Sequence, residues 1–187
     1  MNEDVDREGE ITRACWQAVL AGRKPSSLFS LTWDVTEQDL EEARRRGLEI
    51  VLTGSALRAE VNHPKKTVVV AQPEKFASLI SEEVLERFRK LGLGERVEKV
   101  LDELGSRSIA RAMAYLNEYP RNDEEYAIEK SNLERPEVAV LTGLGFGYPA
   151  CDVEYYVRIR YLGEPCTTEQ EHPVYGYLLC PSHVEHT

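Results

Sequence analysis

Apolar residues recur at the helical spacing in some stretches of this chain and at a spacing of two in others. From Gly9 to Arg23, the residues Ile11, Cys15, Ala18 and Val19, with Trp16 beside them, fall near one face of a helix that Gly22 and Lys24-Pro25 would stop. Ser27 to Trp33 alternates and predicts a strand. Thr36 then opens a second helix, Glu37 to Arg46, because its hydroxyl can cap the first turn and Asp39 stands three residues further on. From Leu48 the period becomes two, with Leu48, Ile50 and Leu52 alternating with Glu49, Val51 and Thr53. Leu57 to Val61 and Thr67 to Ala71 predict two more strands, and Asn62-His63-Pro64-Lys65 between them has the composition of a hairpin turn.

The middle of the chain is helical. Phe76, Leu79, Ile80, Val84, Leu85, Phe88 and Leu91 keep a 3.6-residue period until Gly92 and Gly94 break it. Val97, Val100, Leu101 and Leu104 form a second run, and Ser106 can cap a third with Ile109, Met113 and Leu116 inward, ending at Tyr119-Pro120. Asn122 opens a fourth helix reaching about Ser131, and Arg135-Pro136 forces extended chain. Beyond it, Val138 to Pro149 reads as an apolar strand running through Gly143, Gly145 and Gly147. Val153 to Leu162 reads as an alternating strand and Pro173 to Cys180 as the last one. The pattern predicts a single α+β domain over residues 1–187. A mixed or largely antiparallel sheet is built from N-terminal and C-terminal strands. The helical block of about 73–131 packs on one face, and a β region rich in Cys, His and Tyr covers about 137–187.

Size and charge narrow the functional classes. A 187-residue chain can bury roughly 70% of its unfolded surface, so a metal or disulfide staple is not required for stability. The net charge of −10 is uneven, since residues 122–187 hold 12 Asp/Glu against 4 Lys/Arg. Such a surface disfavours nucleic acid and suits cations, a basic protein surface or a small molecule, with a homo-oligomer as a further arrangement. The acidic start, Met1-Asn2-Glu3-Asp4, lacks the features of a secretory signal, and the longest uncharged run, Val138 to Cys151, is too short to span a bilayer. Reduced thiols in the cytoplasm are therefore expected.

Candidate chemistry concentrates at the C-terminal end. Cys151, Cys166 and Cys180 lie there with His172, His183 and His186. Cys180-x-x-His183 can chelate one ion from a turn, Cys166 and His172 can supply a second pair, and zinc accepts such sulfur and nitrogen donors. The same Cys180 and His183 could alternatively act as nucleophile and base.

A different site is suggested by the glycines. A Gly-x-Gly-x-Gly string after an apolar strand resembles a phosphate loop, but the strand expected after Pro149 denies it the helix that a dinucleotide fingerprint needs. On a strand, Gly143, Gly145 and Gly147 would form a side-chain-free face open to a helix or to a ligand. Gly145, Tyr148 and Tyr156 are then candidate ligand contacts, with Arg158 and Arg160 available to hold an anion.

Three functional expectations follow. The first is a cytoplasmic binding or interaction protein, because no complete set of nucleophile, base and orienting group can be assembled from sequence. The second is a metal-binding protein or metal-dependent enzyme with zinc as the candidate ion, using Cys166, His172, Cys180 and His183. The third is a small-molecule enzyme with its pocket over Gly143–Gly147.

Overall fold

The computed structural model describes residues 3–31, 34–53, 67–118, 135–168 and 179–184, with the backbone alone over 3–8. It is an α+β fold around a three-stranded antiparallel sheet, ordered β1-β3-β2. Helix α1 (Glu3–Leu20) precedes β1 (Ser26–Ser30), and α2 (Glu37–Arg45) lies between β1 and β2 (Glu49–Thr53). Strand β3 (Thr67–Ala71) is central and buried along its whole length. Its register sets Val69 between Leu28 and Val51, and Val68 between Phe29 and Leu52.

This register divides the apolar side chains between two cores, as the alternation of a pleated strand requires. Val68 and Val70 face one way and pack with Phe29, Trp16, Val19, Leu40 and Ala43 beneath α1 and α2. Val69 and Ala71 face the other way, into a larger core made with the helices that follow. Helices therefore cover both faces of the sheet. The central block takes one face, as its periodicity predicts, and the two N-terminal helices take the other.

The local signals at the N-terminal end behave as the sequence predicts. Thr36 and Asp39 form a reciprocal capping box at α2. Helix α1 begins earlier than Gly9, since a single glycine is tolerated inside an otherwise continuous helix at a cost of roughly 1 kcal/mol. The stretch expected as one helix from Phe76 to Leu91 is divided. A 3-10 turn (Phe76–Leu79) is followed by α3 (Glu82–Lys90), whose N-terminus is capped by the Ser81 hydroxyl accepting from Val84 N–H. Helix α4 (Gly94–Leu104) follows, and α5 (Ile109–Asn117) is capped by Ser108 rather than Ser106. The expected strand at Leu57–Val61, its turn with His63, and the helix at 122–131 lie outside the described residues.

The C-terminal half departs from expectation. Residues Pro136–Gly145 form α6 and Ala150–Tyr161 form α7, where strands at Val138–Pro149 and Val153–Leu162 were expected. Among the described residues the sheet is built from N-terminal strands alone. Helix α6 was illegible because nearly every one of its residues is buried, so the apolar run has no polar face and no period. Helix α7 imitates a strand for another reason. Val153, Val157 and Tyr161 are spaced by four, which satisfies a period of two as well as one of 3.6. Among its apolar residues only Val153 and Val157 are fully buried, while Ile159 on the supposed inner face of a strand is half-exposed.

The glycines of α6 are packing residues. A side chain on Gly143 would meet Val153 of α7, and one on Gly145 would meet Met113 of α5 and Phe76. The space over these two glycines is thus filled by protein, and a helix rather than a ligand approaches them. Ser26 of β1 donates its hydroxyl proton to the Gly145 carbonyl at 2.6 Å, satisfying one of the acceptors a helix leaves free at its C-terminus. Gly147, at φ 77°, then turns the chain against Pro25 and leads it into α7.

These contacts set distinct mutational costs, measurable as shifts in urea unfolding. Leu141→Ala, in the middle of buried α6, is expected to lose about 2–5 kcal/mol, and Gly145→Val about 1–3 kcal/mol from overpacking. Leu52→Ala, at a residue 63% exposed, is expected to change stability by less than about 0.5 kcal/mol.

Candidate metal centre

Helix α7 places the first half of the site. Pro149 is its N-cap, so Cys151 and Asp152 occupy the first turn, where the positive end of the helix dipole favours anionic side chains. Val153 and Val157 anchor the same helix to the core through Val153 against Gly143. The entry into α7 is held by the segment between α1 and β1. Lys24, itself buried, sets its ammonium 4.9 Å from the centre of the Tyr148 ring and 3.7 Å from Cys15 Sγ, and burial lowers its pKa.

The second half comes from the turn Cys180-Pro181-Ser182-His183. Pro181–Val184 forms a single helical turn, α8, and His183 N–H donates to the Cys180 carbonyl at 2.9 Å. That geometry brings the two side chains of a Cys-x-x-His pair to one side. Asp152 joins the halves. Its Oδ1 accepts the Cys180 backbone N–H at 2.8 Å, and both of its oxygens lie 2.9 Å from His183 Nδ1. Its side chain is 1% exposed, so these two partners satisfy a carboxylate that would otherwise be buried at a cost of several kcal/mol.

Four groups converge here. Donor atoms of Cys151, Asp152, Cys180 and His183 all lie within 4.8 Å of one another, a set that could hold a metal ion. Cys151 Sγ is 3.9 Å from His183 Nδ1 and 3.7 Å from Nε2. The Cys180 thiol also meets the Ser182 hydroxyl at 3.0 Å. Burial, the neighbouring Cys180 thiol and the Asp152 carboxylate push the Cys151 thiol up to about 11, since each disfavours a new negative charge.

The sequence-derived candidates divide accordingly. Cys180 and His183 belong to the cluster. Cys166 does not, since its exposed thiol lies 3.8 Å from the Tyr155 hydroxyl and donates to the Thr168 carbonyl at 2.9 Å. His172 and the expected strand at 173–178 lie outside the described residues, while Leu179 and Cys180 are not in a strand. Among the described residues, the donors that join Cys180 and His183 are Cys151 and Asp152. Placing them required reading α7 as a helix, because only a helix N-terminus sets both beside the Cys180 turn. The missed local signal was Glu154 and Arg158, four residues apart and ion-paired at 2.8 Å.

The five candidate ligand contacts do not converge on one pocket. Gly145 is buried against Met113 and Phe76, Tyr148 lies under Lys24, and Tyr156 is exposed beside Tyr161. Arg158 pairs with Glu154 and with Glu164 at 2.8 Å, which raises its pKa and commits its charge to carboxylates. Arg160 is exposed on the same helix.

Thiol labelling of the metal-free protein should separate the cysteines. Cys166 is expected to react first with iodoacetamide at neutral pH, whereas Cys15 and Cys180, both buried, stay protected until unfolding. Labelling of Cys151 should climb only as the pH approaches about 11, because its thiolate forms only there. Mass spectrometry of the modified peptides over a pH series reads the order directly. No protein-family model, curated protein or solved structure matches this chain.

Proposed function

We propose that this protein binds a divalent transition-metal ion of the zinc class at the junction of α7 and the Cys180–His183 turn. The observation that carries the reading is the convergence of two thiols, an imidazole and a carboxylate within 4.8 Å, from segments about thirty residues apart in sequence. Thiolate and imidazole donors together select zinc and similar ions over magnesium or calcium, which take oxygen ligands. The electrostatics agree. Binding would require both thiols to lose their protons, and a divalent ion would supply the positive charge that stabilises the resulting thiolates beside Asp152.

A thiol nucleophile assisted by His183 and Asp152 uses the same groups and has less support. Cys151 Sγ is nearly equidistant from both ring nitrogens rather than directed at one, as transfer of its proton would require. Its thiol is also pushed up to about 11, whereas activated cysteines are shifted down. Cys180 supplies a second buried thiol that this chemistry does not use but a metal centre does.

Full-length protein purified without a histidine tag and dialysed against zinc is expected to carry about one ion per chain by elemental analysis. Cys151→Ser and Cys180→Ser should each abolish that stoichiometry. Zinc should raise the unfolding temperature in a concentration-dependent way, by about 2.7 kcal/mol of stability at a hundredfold excess over Kd, and a chelator should reverse it. A wild-type protein that stays metal-free with an unmoved unfolding temperature would sink the proposal.

A further inference from the structure

We infer that the ion is held by three protein donors, Cys151 Sγ, Cys180 Sγ and His183 Nε2. Asp152 positions the imidazole rather than binding the metal, and the fourth coordination position takes an exchangeable small ligand, water or an anion. This rests on the metal reading above and deepens it.

Asp152 is already occupied. Its carboxylate accepts the Cys180 N–H at 2.8 Å and faces His183 Nδ1 at 2.9 Å from both oxygens. A carboxylate offers only acceptors, so the shared proton sits on Nδ1 and the ring's free lone pair is on Nε2. Cys151 Sγ lies 3.7 Å from that Nε2. Two thiolate sulfurs and one nitrogen around a zinc-class ion, with Zn–S near 2.3 Å and Zn–N near 2.0–2.1 Å, are compatible with sulfur–nitrogen separations of about that size. An imidazole that ligates through one nitrogen and donates its other N–H to a carboxylate is the usual outer-shell arrangement of metal-bound histidine.

The donor count among the described residues then points to the type of site. Structural zinc sites use four protein ligands, whereas three protein ligands leave a position for water or substrate. Burial shows where that position lies. Asp152 and Cys180 form the buried side of the cluster, while Cys151 is half-buried and the His183 side chain is 37% exposed. Charge makes exchange easy. Two thiolates neutralise a divalent ion, and the negative charge of Asp152 is engaged with the imidazole, so neutral water suffices as fourth ligand and a small anion can replace it.

The test uses full-length protein loaded with cobalt(II), whose thiolate-to-metal absorption reports sulfur ligation and whose visible bands report coordination. Azide is the probe ligand. In wild-type protein, azide is expected to shift the visible bands saturably while the thiolate bands persist. Asp152→Asn should keep the thiolate bands and the one-to-one stoichiometry but weaken cobalt binding roughly 10–100-fold, the usual effect of losing an outer-shell partner. Absence of an azide response in wild-type protein, with thiolate bands present, would overturn the open position. So would an azide response that appears only in His172→Ala or His186→Ala, since a fourth protein ligand would then have filled it. Loss of the thiolate bands in folded Asp152→Asn, checked by circular dichroism, would make Asp152 a ligand and overturn its positioning role. No thiolate bands in wild-type protein would remove the metal reading itself, and this inference with it.

Discussion

A helix with no polar face is stable only if protein covers it on every side, and α6 imposes that condition on this fold. Its backbone can satisfy its own hydrogen bonds, but its side chains gain nothing from water. Helices α4, α5 and α7, the 3-10 turn and the start of β1 supply the cover. Close approach is what makes this possible. Gly143 and Gly145 withhold side chains where Val153, Met113 and Phe76 press in, so α7 and α5 can both reach the α6 axis. The buried carboxylate of Glu137, in the first turn, is met by Arg96 from α4 at 2.9 Å, which ties the polar end of α6 to the same packing. Arg135, itself buried, lies 3.4 Å from the same carboxylate, so Glu137 does not depend on the exposed Arg96 alone.

The candidate metal centre inherits its rigidity from that arrangement. Helix α7 is seated by α6, and Gly147 together with Tyr148 on Lys24 defines how the chain enters its first turn. Cys151 and Asp152 therefore project from a helix fixed to the core, not from a loop. The Cys180–His183 turn approaches that helix at Asp152. It is positioned by Asp152, whose carboxylate holds the Cys180 backbone and the His183 ring at once. One buried acid thus determines where the two C-terminal donors sit, and an ion at the site would reinforce a connection the carboxylate has already made.

The charge distribution takes on a narrower meaning in this light. The acidic C-terminal third is partly self-neutralised, since Arg158 is spent on Glu154 and Glu164, and Arg87 of α3 also reaches Glu154 at 3.1 Å. Such exposed pairs contribute little stability each, typically below about 1 kcal/mol. What they do is orient: they occupy guanidinium groups that would otherwise be open to an anionic ligand. The carboxylate that matters for the site is the buried one, which composition alone does not distinguish from its neighbours.

Local information in the sequence determined α1, α2 and the three strands of the sheet, and the helical character of the described residues from 76 to 117. The capping box at Thr36, the alternation at Ser27 and Leu48, and the glycine stops after α3 and α4 act over a few residues, so they are readable without knowing the fold. It also determined that Cys180 and His183 could serve one ion, because a Cys-x-x-His turn is a local geometry. Tertiary structure decided the rest. Helix α6 is buried on all sides and carries no period, and α7 repeats at intervals of four, which strand and helix share. Only packing of α6 against its neighbours resolves either one as a helix. The partners of Cys180 and His183 followed from that choice, since Cys151 and Asp152 reach them only from a helix N-terminus held by Gly143 and Gly145. A site assembled from segments about thirty residues apart has no spacing rule in sequence, and a three-dimensional contact is what brought it together.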